Sequence, residues 1–156
     1  MYSDLLQRLM VFINNLREYK GLWREHVKLI KNLGKTIHLF YIPEIHQLIV
    51  PMLIDFISKG NKDIKEAACN CLAKIMEYQH HTPSREELLA VVKKELHQAT
   101  DWQQRRAFVY FCKSIVTRMP MEYFKSHFMK DYIECSADKV PHIRMEFAKA
   151  MLIIKS

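Results

Sequence analysis

Apolar residues return at helical spacing along almost the whole chain. Leu5, Leu6, Leu9, Met10, Phe12, Ile13 and Leu16 mark a first helix that opens on Ser3-Asp4 and breaks at Tyr19-Lys20-Gly21. Val27, Leu29, Ile30, Leu33 and Ile37 mark a second helix from about Leu22. Pro43 opens a third, because proline suits a helix's first turn, and Gly60-Asn61 ends it. Asp63 starts a fourth. Ser84, with Glu87 three residues on, reads as a capping box after an HHTPS loop, so a fifth helix is expected over 85–98. A sixth is expected over 101–118, Pro120 opens a seventh, and Pro141 lies in the first turn of an eighth. Such a succession of helices with short connections leaves no room for a sheet.

The even-numbered helices are copies of one another. His26, Lys65, Arg105 and Arg144 align at steps of 39, 40 and 39 residues. Three residues on, the column reads Leu29, Ala68, Phe108, Phe147; seven on, Leu33, Leu72, Cys112, Met151; ten on, Thr36, Ile75, Ile115, Ile154. Offsets of three, seven and ten fall on one face of a helix, and that face is apolar in almost every copy. The odd-numbered helices repeat more loosely, with Pro51, Val91 and Lys130 at steps of 40 and 39 residues. Two helices per unit and a period near 40 predict an all-α HEAT-repeat α-solenoid: about four two-helix repeats in a right-handed superhelical stack. The whole of 1–156 reads as a single array, with repeats at about 1–40, 41–80, 81–118 and 119–156.

Composition narrows the chemistry. Apolar residues at 49% of 156 suit a globular helical chain rather than a disordered or membrane-spanning one. The net charge of +7 permits anionic partners, but the basic residues form no run, so neither nucleic acid nor membrane is expected as a partner. Cys69 and Cys71 lie two apart in a helical pattern and point to different sides of it, which suits buried free thiols in a reducing, cytoplasmic setting better than a shared metal. With only 3 glycines, a phosphate cradle of backbone N–H groups is hard to build. The eight histidines match no metal-ligand spacing, and no serine sits in a nucleophile turn. No enzyme, cofactor or metal is expected.

Four stretches carry a likeness: LWREHVKLI (22–30), DIKEAACNCLAKI (63–75), DWQQRRAFVYFCKSI (101–115) and VPHIRMEFAKAMLII (140–154). Together they resemble consecutive repeats of the HEAT-repeat scaffold and regulatory subunits of type-2A-like serine/threonine protein phosphatases. The likeness runs through nearly the whole chain at constant register. It implies a non-catalytic subunit that holds a phosphatase catalytic subunit, of the phosphatase 4 type, on the turns joining the two helices of each repeat. The matching turns are 19–23, 60–63, 99–103 and 137–142. Trp23-Arg24 falls on a Trp-Arg pair used at the catalytic-subunit contact, and Trp102 falls where the family has an aromatic residue. Lys62, Gln103, Lys139 and His142 complete the expected ridge; the basic character of Lys62 and Lys139 departs from the family's turns.

Each site has a structural reading as well. Trp23 and Trp102, the only tryptophans, are either interface anchors or edge-of-core residues packed under the neighbouring repeat. Lys65, Arg105 and Arg144 form a ladder that either faces an acidic partner or, the favoured reading, pairs with an acid of the adjoining repeat such as Asp55, Asp101 or Asp138. An alternative function is a general protein-binding adaptor, or a transport-receptor-like solenoid, gripping an acidic peptide on its concave face. Leu5, Leu9 and Phe12 near one end and 151–154 at the other lack the polar faces of capping repeats, which leads one to expect a section of a longer array that self-associates through its ends.

Overall fold

The computed structural model describes residues 2–80 and 82–154. Helices form where the apolar periodicity lies: α1 (Tyr2–Arg17), α2 (Trp23–Thr36), α5 (Lys62–Tyr78), α7 (Trp102–Val116) and α10 (Pro141–Ile154) run unbroken. Side-chain caps start two of them at the same register. Asn61 accepts the Ile64 N–H at 3.0 Å and Asp101 accepts the Gln103 N–H at 2.9 Å, each four residues before Lys65 or Arg105. Before α10, Asp138 Oδ1 accepts the Val140 N–H at 2.9 Å.

The remaining helices are broken. The third expected helix comprises a short α3 (Ile42–Glu44), a π turn (Ile45–Ile49) and α4 (Val50–Lys59). Pro51 accounts for the wide turn, since it has no N–H to offer and its ring would crowd the carbonyl one turn back. The fifth runs as α6 (Thr82–Val92) into a second π turn (Lys93–His97). It starts before Ser84, which therefore lies inside the first turn and is not the N-cap. The seventh divides at Phe128 into α8 (Met121–His127) and α9 (Met129–Glu134). That bend turns the Phe128 ring, fully buried, toward Phe111 at 5.4 Å and Phe108 at 6.4 Å.

The fold is an all-α solenoid. The second helices lie side by side, α2 on α5, α5 on α7 and α7 on α10, while α4, the Lys93–His97 turn and α9 pack against this layer. In the three aligned apolar columns Leu29, Phe147 and Met151 are half-buried and Thr36 is exposed; the remainder are buried. Close approach is built in at Gly34 of α2, where a Cβ would lie 3.1 Å from Lys74 Cδ and 3.5 Å from Cys71 Sγ of α5. Cys69 Sγ donates to the Ala107 carbonyl at 3.3 Å, joining α5 to α7. All four cysteines are buried free thiols, and burial pushes Cys71 and Cys135 up to about 12. Among the described residues no helix is long and apolar enough to cross a membrane.

Candidate functional site: the turn ridge

The aligned column at His26, Lys65, Arg105 and Arg144 sits beneath the turns, and its members share one task. A helix that ends leaves its last carbonyls without partners. His26 Nδ1 donates to the Leu22 carbonyl at 2.9 Å, and Lys65 Nζ donates to those of Ile57 and Ser58. Arg105 Nη1 donates to Ala99 O at 3.0 Å and Thr100 O at 2.8 Å, and Arg144 Nη1 to Asp138 O at 2.7 Å. The ladder is thus a set of donors tying each second helix to the turn or helix end before it.

Their surroundings differ. Lys65 is 1% exposed, too deep to face a partner; burial lowers its pKa, and Asp101 of the next unit opposes that shift. Of Lys65, Arg105 and Arg144, Arg105 alone is bonded to an acid of the adjoining unit among the described residues, through Nε to Asp138 Oδ2 at 2.9 Å and Nη2 to Oδ1 at 3.3 Å. This fork holds the Asp138 carboxyl below the usual carboxylate range. Arg144 is exposed and bonds within its own unit.

Two groups of ridge residues emerge. At the first two turns, Trp23 is half-buried against the core, with the exposed Arg24 guanidinium 4.6 Å from its ring centroid. Beside it opens a cleft of about 540 Å³, lined by Trp23, Asp55, Phe56, Lys59 and Asn61 among others. Lys62 is exposed, its Nζ 3.9 Å from Glu66. At the last two turns the half-buried Trp102 stacks on the exposed His142 ring at 5.8 Å, and the Arg106 guanidinium lies 5.2 Å over the same indole. Gln103 is half-buried and Lys139 exposed. The structure thus gathers Trp23, with Arg24 on its ring, beside the second turn's Asn61, and Trp102 with His142.

Sequence reasoning missed a charged seam on the other helix layer. Lys93 Nζ lies 3.0 Å from Asp131 Oδ2, and His97 Nε2 lies 3.0 Å from Glu134 Oε2 and 4.0 Å from Asp131 Oδ1. One potential metal-ligand atom from each of His97, Asp131 and Glu134 falls within 4.8 Å of the others. These partners are more than 30 residues apart in the chain, so no local spacing announces them. The only available signal is that His97 and Glu134 sit nearly one repeat apart, 37 residues.

No protein-family model matches the chain. It is 21% identical over 155 residues to serine/threonine-protein phosphatase 4 regulatory subunit 1 of Rattus norvegicus, and to the Homo sapiens and Mus musculus proteins of that name to the same extent. Each alignment takes in 96% of this chain, which spans 16% of the length of those relatives. Along nearly its whole length, then, this solenoid is similar to a section of a phosphatase 4 regulatory subunit.

Proposed function

We propose that the chain is a non-catalytic repeat section that holds a serine/threonine phosphatase catalytic subunit, of the phosphatase 4 type, on its turn ridge. The observation that carries the reading is the likeness to phosphatase 4 regulatory subunit 1 over 96% of the chain. A finer reading within this proposal is that, among phosphatase 4 regulatory subunits, the chain is most like the one called regulatory subunit 4, whereas the relatives found are regulatory subunit 1. Trp23 and Trp102 are the anchors of the ridge, since each is half-buried at a turn with an arginine stacked on it. Arg24, Lys62, Gln103, Lys139 and His142 form its polar rim.

Mixing the 156-residue chain with the phosphatase 4 catalytic subunit tests this. Capture on a sensor surface is expected, weakened at least tenfold by Trp23→Ala and by Arg24→Ala, each with an unchanged melting temperature to within a few degrees. No capture sinks the phosphatase reading. Capture that both variants leave intact moves the contact away from the ridge.

A further inference from the structure

On the layer of first helices, the last junction brings three side chains with metal-ligand atoms together. The π turn Lys93–His97, closed by the Gln98 N–H on the Lys93 carbonyl at 2.9 Å, aims both Lys93 and His97 at α9. Asp131 and Glu134 lie three residues apart on α9 and so share a face. His97 Nε2 lies 3.0 Å from Glu134 Oε2 and 4.0 Å from Asp131 Oδ1, and the three ligand atoms all fall within 4.8 Å of one another.

Asp131 has acceptor capacity to spare. Its side chain is 16% exposed, and Oδ2, shut off from water, receives no hydrogen bond among the described residues. Lys93 Nζ lies 3.0 Å from that oxygen, an ion pair without the alignment of a hydrogen bond. Oδ1 faces His97 at 4.0 Å, too far for a hydrogen bond. A largely buried carboxylate so poorly satisfied favours the arrival of a cation. With a neutral imidazole, the two carboxylates outweigh the Lys93 ammonium, so the cluster stays net negative.

The donor set selects the cation. One imidazole nitrogen with two carboxylate oxygens suits a late first-row divalent ion, zinc above all, whereas calcium and magnesium look for about six oxygen ligands. Tetrahedral bonds of about 2.1 Å place zinc ligand atoms about 3.4 Å apart. The separations of 3.0 and 4.0 Å bracket that value, and Glu134, 53% exposed, has room to swing in. The His97 ring is held against the buried Phe108 at a centroid distance of 4.9 Å. With its proton on Nδ1, the imidazole offers the Nε2 lone pair to the metal. Lys93 remains on Asp131 Oδ2 as the outer partner that orients the carboxylate.

We propose that His97, Asp131 and Glu134 form a zinc site that staples the Lys93–His97 turn to α9 across the junction of the last two units. The ligands are His97 Nε2, Asp131 Oδ1 and a Glu134 carboxylate oxygen, and water takes the fourth position. The site is separate from the turn ridge and does not depend on the phosphatase reading.

The test is calorimetric titration of the metal-stripped 156-residue chain with zinc, calcium and magnesium chlorides at neutral pH. Zinc is expected to bind one ion per chain in the micromolar range, at least tenfold more tightly than calcium or magnesium. At about a hundredfold excess over the dissociation constant it should raise the melting temperature by about 5 °C. Cobalt in its place should give the visible band of a tetrahedral ion without the near-ultraviolet sulfur band that a cysteine site would show. Glu134→Gln, at an exposed side chain, should weaken zinc at least tenfold and leave the metal-free melting temperature within about two degrees. His97→Gln should weaken it as much, while His80→Gln, at an exposed histidine outside the cluster, should leave it unchanged. The proposal is overturned if zinc does not bind, if calcium binds as tightly, if a sulfur band accompanies cobalt, or if both Glu134→Gln and His97→Gln bind zinc with full affinity.

Discussion

The first and last junctions between units use the same helix register and different fastenings. Between the first two units, α2 packs on α5 with Ile30 and Leu33 buried and a close approach at Gly34, and a cleft stays open beside Trp23. One polar link between α5 and the stretch after α2 is an exposed bond from the Tyr78 hydroxyl to His38 O at 3.4 Å, and the His26 ring meets the Phe56 ring edge-on at 5.7 Å. Between the last two units, apolar packing is joined by the Arg105–Asp138 fork, the Lys93–Asp131 and His97–Glu134 pairs, the Trp102–His142 stack and the Phe128 ring. A shared repeat pattern therefore fixes how helices stack, while the residues off that pattern decide how firmly each junction closes.

The largest expected way to break this contrast is Phe128→Ala. Removing a fully buried ring costs about 3–5 kcal/mol, or roughly 10 °C in melting temperature for a chain of this size, and hydrogen exchange should show the loss concentrated in α7–α10. Arg105→Ala comes next, at about 2 kcal/mol. It strands the carboxylate of Asp138, but both side chains are 13–14% exposed, so water relieves part of the penalty. α2 and its amides should be unmoved by either change.

Acid supplies a third, graded test. Its hydrogen bonds to Arg105 hold the folded-state Asp138 carboxyl below the usual carboxylate range, so its contribution is complete above that range and is lost as pH falls through the lower, folded-state value. Chemical denaturation below about pH 4 should loosen the last junction, and Arg105→Ala should flatten that component of the acid response. The smallest effect is expected for His142→Ala, about 0.5 kcal/mol, because the stack on Trp102 is exposed; a change in Trp102 fluorescence is its sharper readout.

The second helices were legible in the sequence because one face recurs every 39 or 40 residues, and that face is set by burial alone. The first helices of the last three units were legible as helices but not as broken ones. Pro51 acts through a ring clash one turn away, and the Phe128 bend answers to the rings of α7 rather than to its own neighbours. The column of Lys65, Arg105 and Arg144 was visible as a pattern, and charge suggested acids of the adjoining unit; Arg105 meets one in Asp138, while Lys65 and Arg144 bond to carbonyls. The groove of about 530 Å³ that Trp23 of α2, Ala67 of α5 and Tyr110 of α7 line was invisible, since it depends on residues of three separate helices. Patterns along the chain report what is buried; they do not report what is left unfilled between helices.

The depth of Lys65 has a further use. An amine that reaches from α5 to the end of α4 and is tied to the carbonyls of Ile57 and Ser58 is hidden from acylating reagents as long as the second unit stays shut. Exposed neighbours such as Lys59 and Lys62 react at once, so the delay before Lys65 is modified becomes a clock for the opening of that unit. Any partner that clamps the first turns would slow the clock without touching the residue that keeps the time.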